Sequence, residues 1–371
     1  MDTQRADVTR NRTAAETQPP VAVLITIDTE GDNLWAQPRT VTTRNADFLA
    51  RFQNLCERYG LKPTWLANWE MAHSPVFCEM AADALRRGTA EVGMHLHAWN
   101  TPPLEPITED DFRLQPLLIQ YPTHLMREKI LRTTDRLESV FEVKMLSHRA
   151  GRWGMNETYA RLLVEQGYLV DSSVTPNLSW RGKMQNRQVV GCDYTNFPDF
   201  AYRVDLGDLS RPGDSHLLEI PMTIVPGPDH CLARAARRAG RCGRFPQRLA
   251  DRLFPPQRWF RPNRHNRRDL VRVLRGAGGR RADYVQMMMH SSELMPGGSP
   301  LFPTEHSIER LYDSLEELFA LTQEKFVGMT LAEYWRRAGA SRSPVIADAD
   351  QRSGISCVCE GRGGTFGVST D

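Results

Sequence analysis

The stretch VAVLITIDTE, residues 21–30, runs through seven uncharged residues rich in β-branched side chains and ends on two carboxylates, Asp28 and Glu30. Seven such residues without polar alternation read as a strand buried on both faces, the kind that parallel sheets contain. To its C-terminal side, NADFLARFQNLCERYG (45–60) sets apolar residues at 48, 49, 52 and 55 between an Asn and a Gly, which predicts a helix. The alternation then continues. Strands are expected at PTWLAN (63–68), AEVGMHL (90–96), KMLSHR (144–149), YLVDSS (168–173), HLLEIP (216–221) and DYVQMMMH (283–290). Helices are expected at 74–88, 124–142, 156–167, 305–323 and 330–337. Strands that alternate with helices are joined by crossovers and lie parallel. About seven such units predict an α/β protein, a distorted (β/α) barrel of about seven parallel strands.

The chain has 371 residues, 40% hydrophobic and 25% charged, so it can bury a sizeable core and is neither disordered throughout nor a disulfide-dense miniature. Residues 1–20 and 340–371 carry no sustained periodicity and are expected to be disordered tails flanking a barrel over 21–339. The first nineteen residues are polar, and no apolar run approaches the ~20 residues that span a bilayer, so a cytoplasmic location is the expectation. The seven cysteines form no CxxC pair, and free thiols are expected, including Cys357 and Cys359 of the C-x-C near the end.

Chemistry concentrates where strands end. Asp28 and Glu30 stand at i and i+2, on one side of an extended chain, so one can bind a metal while the other accepts a proton. His95 and His97 repeat that spacing, a common way to seize a divalent ion, and with Glu30 or Asp28 they make a two-histidine, one-carboxylate set with positions left open. His290, presented by the apolar run YVQMMM, suits a general acid. Arg149 could pair with a carboxylate, and Asp171 could tune a histidine or cap the following loop. In β/α barrels the C-terminal ends of the strands form the active face. Asp28 and Glu30 used as the acid and base of a glycoside hydrolase would lie too close together for the ~5 Å or wider gap which that chemistry needs.

Taken in order, ITIDTEGDN, EVGMHLHAW, HRAGRW, YLVDSS and MMMHSSEL resemble the five motifs of the polysaccharide deacetylase superfamily, the group with the NodB homology domain (carbohydrate esterase family 4). The likeness spans about residues 21–335. It implies a distorted barrel, a divalent metal (zinc first), and hydrolysis of an N-acyl group, usually acetyl, from an amino sugar. By position it makes Asp28 the general base, Glu30 a metal ligand and His290 the general acid; the second histidine of the family pattern falls on Trp99, and His97 is the natural substitute as ligand beside His95. Arg149 would hold Asp28, Asp171 would support His290, and Trp153 would wall the groove. Trp99, Arg152 and Ser291 are further expected substrate contacts. The chain departs from the family pattern in its Asp-x-Glu and His-x-His spacings and in a second arginine, Arg152, which points to an acidic or phosphorylated substrate.

Two alternatives remain at this level. An amidohydrolase-type barrel acting on a non-sugar amide also uses a His-x-His pair, but at the end of its first strand, where this chain has Asp-Thr-Glu. The other is a catalytically inactive glycan-binding barrel. The net charge of +2 also conceals an insertion, residues 231–282, with 16 Arg against 2 Asp. With Phe254, Trp259 and Phe260 interleaved, that segment could lie on an anionic membrane surface or meet a lipid-linked or phosphorylated glycan. No nucleic-acid-binding motif frames the charge, which argues against that partner.

Overall fold

In a computed structural model of the protein, residues 19–340 are described apart from 39, 185, 187, 229–230, 241–252, 281 and 324. The expectations for both tails, for Cys357 and Cys359, and for the middle of the Arg-rich insertion fall outside the described residues. The strand β1 (Val21–Thr29) is the hub of the sheet. One edge of it pairs in parallel with β11 (Tyr284–His290), from Ala22 opposite Tyr284 to Asp28 opposite His290. The other edge is shared: β12 (Phe326–Met329) takes Val21 to Leu24, and β2 (Pro63–Ala67) takes Ile25 to Thr29. Parallel pairing then continues through β3 (Glu91–Leu96), β4 (Ser147–Ala150), β5 (Val170–Asp171) and β8 (Leu218–Glu219). The run β11-β1-β2-β3-β4-β5-β8 thus holds the seven parallel strands read from the alternation.

The barrel closes without a ladder between its outer strands. Across the seam the backbone N–H of Gln286 donates to Thr223 Oγ1 at 2.9 Å, the Tyr284 hydroxyl to the carbonyl of Pro221 at 2.8 Å, and the N–H of Met288 to the carbonyl of Phe260 at 3.3 Å. Side chains and a single inserted residue satisfy backbone groups that an open edge would leave bare. This is what makes the barrel distorted.

Both faces of β1, β2 and β3 are buried, as their uninterrupted apolar runs require. The helix Leu49–Arg58 lays Leu49, Phe52, Leu55 and Cys56 on the sheet, where Phe52 meets Trp65 edge to face at 6.1 Å. Each such side chain contributes about 1.5–3 kcal/mol by leaving water. KMLSHR, YLVDSS and HLLEIP form shorter strands than their patterns suggest, four, two and two residues. Hydroxyls take over bonds that a longer ladder would make: the N–H of Ala150 donates to Ser173 Oγ at 2.9 Å, and Ser172 Oγ donates to the carbonyl of Ile220 at 2.9 Å.

Elements without a sequence expectation lie mainly on one side of the barrel. The hairpin β6 (Tyr202–Asp205) and β7 (Asp208–Pro212) runs antiparallel beside β8, and β9 (Ile224–Pro226) pairs with β10 (Gln257–Trp259) from the Arg-rich segment. Cys56, Cys78, Cys192 and Cys231 are free thiols. No helix among the described residues is long and apolar enough to cross a membrane.

Candidate active site

The carboxylate of Glu30 and the imidazoles of His95 and His97 converge just beyond the ends of β1 and β3, all buried. Glu30 Oε2 lies 2.9 Å from His97 Nε2 and 3.5 Å from His95 Nε2, and the two Nε2 atoms are 3.2 Å apart. Donors held ~2.0–2.1 Å from one tetrahedral zinc ion are about 3.3 Å from each other. The three atoms therefore fit a divalent ion. His95 Nδ1 donates to the carbonyl of Arg149 at 2.9 Å, which turns the lone pair of Nε2 toward the centre. His97 Nδ1 has no such partner among the described residues; it lies against Gly151, where a Cβ would come within 2.7 Å of it. No other group of three or more His, Cys, Asp or Glu side chains with this convergence occurs among the described residues.

The electrostatics ask for a cation at the same place. Burial is the largest influence on Glu30 and raises its pKa, yet His290, His95 and His97 together hold it well below the usual carboxylate range. Burial also dominates at His95 and lowers it, but the charges of Asp28 and Glu30 outweigh burial and raise it overall. A proton on His95 and a metal ion in the triad answer the same demand. His97 is lowered, chiefly by burial.

Asp28 is clamped from inside the barrel. Arg149 Nη1 donates to Asp28 Oδ1 at 2.6 Å, while its other nitrogens donate to the carbonyl of Ser172 and to Thr26 Oγ1, both at 2.8 Å. Burial pushes Asp28 up most strongly; the charges of Arg149, His95 and His290 overcome it and keep the carboxyl below its ordinary value. His290 sits opposite Asp28 in the β1–β11 register and presents Nε2 3.9 Å from both Asp28 Oδ2 and Glu30 Oε1. Arg261 Nη2 donates to His290 Nδ1 at 3.0 Å and to Glu293 Oε1 at 2.7 Å. An acceptor Nδ1 leaves the proton of the neutral ring on Nε2, the nitrogen facing the carboxylates.

Asp171 requires a correction. It does not support His290; its Oδ1 holds His148 Nδ1 at 2.7 Å, and His148 Nε2 in turn bonds the Tyr159 hydroxyl at 2.7 Å. Side chains alternate across a strand, so Arg149 and His148 face opposite ways. His148, Asp171 and Glu219 are register partners on β4, β5 and β8 and form one row on the helix-facing side. The pKa of Glu219 is raised well above the carboxylate range, by burial first and then by Asp171, so this row is a proton-sharing structural network. Glu293 and Arg261 fill the supporting role at His290. Ser291 is also reassigned: it is fully buried, accepts the N–H of Glu30 at 3.0 Å and donates to the carbonyl of Glu30 at 3.1 Å, fixing a ligand's backbone without lining the cleft.

A cleft of about 310 Å³ opens over these groups, walled by Trp35, Trp99, Phe112, Trp153 and Trp180 and edged by Arg152, Lys183 and Arg261. Trp35 meets the His290 ring edge-on at 4.8 Å, and Trp99 stacks on Phe112 at 3.9 Å. After Gly151, where a Cβ would lie 2.4 Å from the carbonyl of Leu96, the chain turns sharply. Arg152 (φ 54°) and Trp153 (φ 60°) both take the left-handed conformation there. Two non-glycine residues so held cost roughly 1–3 kcal/mol each and mark a site whose surroundings impose the turn.

The membrane expectation for the Arg-rich segment loses two of its three aromatics. Phe260 is buried in the core, and Trp259 packs against Trp153 and Trp180 at 6.3 and 6.2 Å. A larger groove of about 1210 Å³, lined by Arg264, Arg267, Arg268, Arg272 and Arg275, separates the helices Arg267–Arg275 and Glu305–Ala320. In it Arg267 is ion-paired with Glu317.

No protein-family model matches the sequence, and no curated protein matches it. Among solved structures the chain is similar to a Mycobacterium smegmatis protein provisionally described as a polysaccharide deacetylase (16% identity, TM-score 0.48, 88% of this chain and 93% of that one). It is also similar to the Xyl-CE4 domain of a multidomain xylanase from the hindgut metagenome of Trinervitermes trinervoides (10%, 0.41, 86% and 92%). A third likeness is to a 4-alpha-glucanotransferase from Thermococcus litoralis (11%, 0.45, 85% and 38%). The family that the five motifs resemble is thus represented among these structures.

Proposed function

We propose that the protein is a metal-dependent hydrolase that removes an N-acyl group, N-acetyl foremost, from an amino sugar. The observation that carries this reading is the convergence, at the mouth of one aromatic cleft, of the Glu30–His95–His97 triad with an ionised Asp28 and the Nε2 of His290. Glu30, His95 and His97 would hold the ion, zinc by the nitrogen-rich donor set. Bound there, a divalent ion lowers the pKa of water and polarises an acyl carbonyl.

The chain's own residues do the rest. Asp28, kept charged by Arg149, accepts a proton from the attacking water as its oxygen joins the acyl carbon. His290 delivers the Nε2 proton to the sugar nitrogen as the C–N bond breaks, and the proton that Asp28 took from water returns to Nε2 from Oδ2, 3.9 Å away, so the ring ends neutral, the amine leaves neutral and the acyl group leaves as the acid. Trp35, Trp99 and Trp153 offer flat apolar faces to a sugar ring. The cleft lies at the small end of the ~300–1,000 Å³ usual for ligand sites, which favours a single sugar and its acyl group over a long chain.

Two measurements test the reading together. Elemental analysis of wild type, His95→Ala and His97→Ala should give about one zinc per wild-type chain and loss of it in both variants. Release of acetate or formate from a panel of N-acyl amino sugars should follow the metal. A protein that takes up no metal after reconstitution would be a sugar-binding barrel instead.

A further inference from the structure

We infer that the substrate carries an anionic group, a carboxylate or a phosphate, close to its acylated nitrogen, and that Arg152 is the residue that selects for it. The inference rests on the amino-sugar reading above and goes on to name the class of sugar. Arg152 lines the same cleft as Glu30, His97 and His290. Its guanidinium lies over the Phe112 ring, 5.6 Å from the centroid, and Phe112 is itself stacked on Trp99, so the charge rests on a rigid aromatic wall.

Among the described residues no carboxylate forms an ion pair with Arg152, whereas the other arginines of the site are matched: Arg149 by Asp28, Arg261 by Glu293. Glu30, the acid nearest in its field, is turned toward His95 and His97. Lys183 on the cleft edge likewise has no carboxylate partner among the described residues. A part-buried guanidinium beside a cation-seeking triad is an incomplete electrostatic arrangement, and a neutral amide cannot complete it. Carboxylate and phosphate both can, because each accepts two parallel N–H bonds from a guanidinium. The left-handed turn at Arg152 and Trp153 delivers this side chain to the cleft beside the groove wall, where a substituent of the bound ring would lie.

The test compares matched ligands: N-acetylglucosamine, its 6-phosphate and 1-phosphate, and N-acetylmuramic acid as the carboxylate. Affinity is read by quenching of the cleft tryptophans and by calorimetry, and turnover as kcat/KM. The expected result is a preference of at least tenfold for one or more anionic sugars over the neutral one. That preference should fall to under threefold in Arg152→Gln and be partly restored in Arg152→Lys. A preference shared by phosphates and carboxylate leaves the class broad, and a preference for one of them identifies the source. Equal binding of neutral and anionic sugars, a preference that survives Arg152→Gln, or no binding by any of them would overturn the inference. So would loss of metal in Arg152→Gln with the preference intact, which would make Arg152 a partner of Glu30. Anion preference without deacylation would sink the proposed reaction alone, and deacylation without preference would sink this inference alone. Melting midpoints of both variants check that they fold.

Discussion

Replacing Arg261 by Met keeps much of the side chain's apolar volume and removes its charge from a pair that holds the candidate acid. Glu293 is fully buried and its carboxyl is pushed down to about 2. Burial, the largest influence, acts the other way; the charge of Arg261 is the largest single influence that opposes it, joined by hydrogen bonding and charge from His290. The fall from 4.5 to about 2 corresponds to about 3 kcal/mol of preference for the ionised form. Removing one partner of a fully buried ion pair costs about 3–5 kcal/mol. Because the Arg261 side chain is 23% exposed, the loss should be smaller, about 2–3 kcal/mol at pH 7. At the ~2–4 °C per kcal/mol of mid-sized domains this lowers the melting midpoint by roughly 4–12 °C.

The sign with pH follows from the lowered pKa. In the wild type the contribution of Glu293 is fully present above the unfolded carboxylate value and is lost as pH falls from there toward about 2. In Arg261→Met the carboxyl titrates higher, so the gap between the two proteins narrows as acid protonates Glu293 in both. Urea denaturation at pH 7, 5 and 3.5 reads the gap. Nitrogen-15 spectra of labelled histidine add a second readout, because His290 should carry its proton on Nε2 in the wild type and on Nδ1, facing Glu293 at 3.6 Å, in the variant. A midpoint unchanged at pH 7, or the same tautomer in both proteins, would refute the argument.

Gly151→Ala would drive a methyl group to within 2.7 Å of His97 Nδ1 and 2.4 Å of the carbonyl of Leu96, and it should abolish metal uptake even where the chain still folds; retention of a full equivalent by elemental analysis would contradict this. His290→Ala should lower kcat by at least ~10²-fold while metal content stays at the wild-type level, since His290 is placed as acid and not as ligand. Lys129 donates to the carbonyls of Thr101 and Pro103 at 2.6 Å each, and burial pushes its pKa down to about 8. Its unfolded value is near ~10.4, so the unfolded chain holds a proton which the folded one releases, and stability from this group rises between pH 8 and about 10. Wild type should gain on Lys129→Met over that window in paired denaturation curves, and parallel curves would exclude the effect.

The strand ends were legible because composition and position act together there. A run such as VAVLITI can only be buried, and acids or histidines that follow it must find partners, so Asp28, Glu30, His95, His97 and His290 stood out before any fold was known. Facing direction was not legible at β4 and β5. HRAG and VDSS name the residues, but whether Asp171 shares a face with Arg149 or with His148 depends on a register of one residue, which local sequence does not encode. Arg261 left no signal at all: it lies 29 residues before His290, inside a segment whose many arginines look alike. Glu293 was the findable one, since an acid three residues after a strand-end histidine can reach back to its backbone N–H, as it does at 3.0 Å. Ser291 failed for the opposite reason, since its place beside His290 suggested ligand contact while the backbone of Glu30 consumes its hydroxyl.

The Arg261 contact divides the machinery between parts with unequal freedom to vary. Metal ligands and base sit on β1 and β3 or directly after them, while the partner of the acid arrives from outside the seven parallel strands, two residues after β10. A lineage carrying this arrangement can change which ring nitrogen of its acid bears the proton through substitutions outside the parallel strands alone. By the same route it can fall silent, with every strand-end residue still in place.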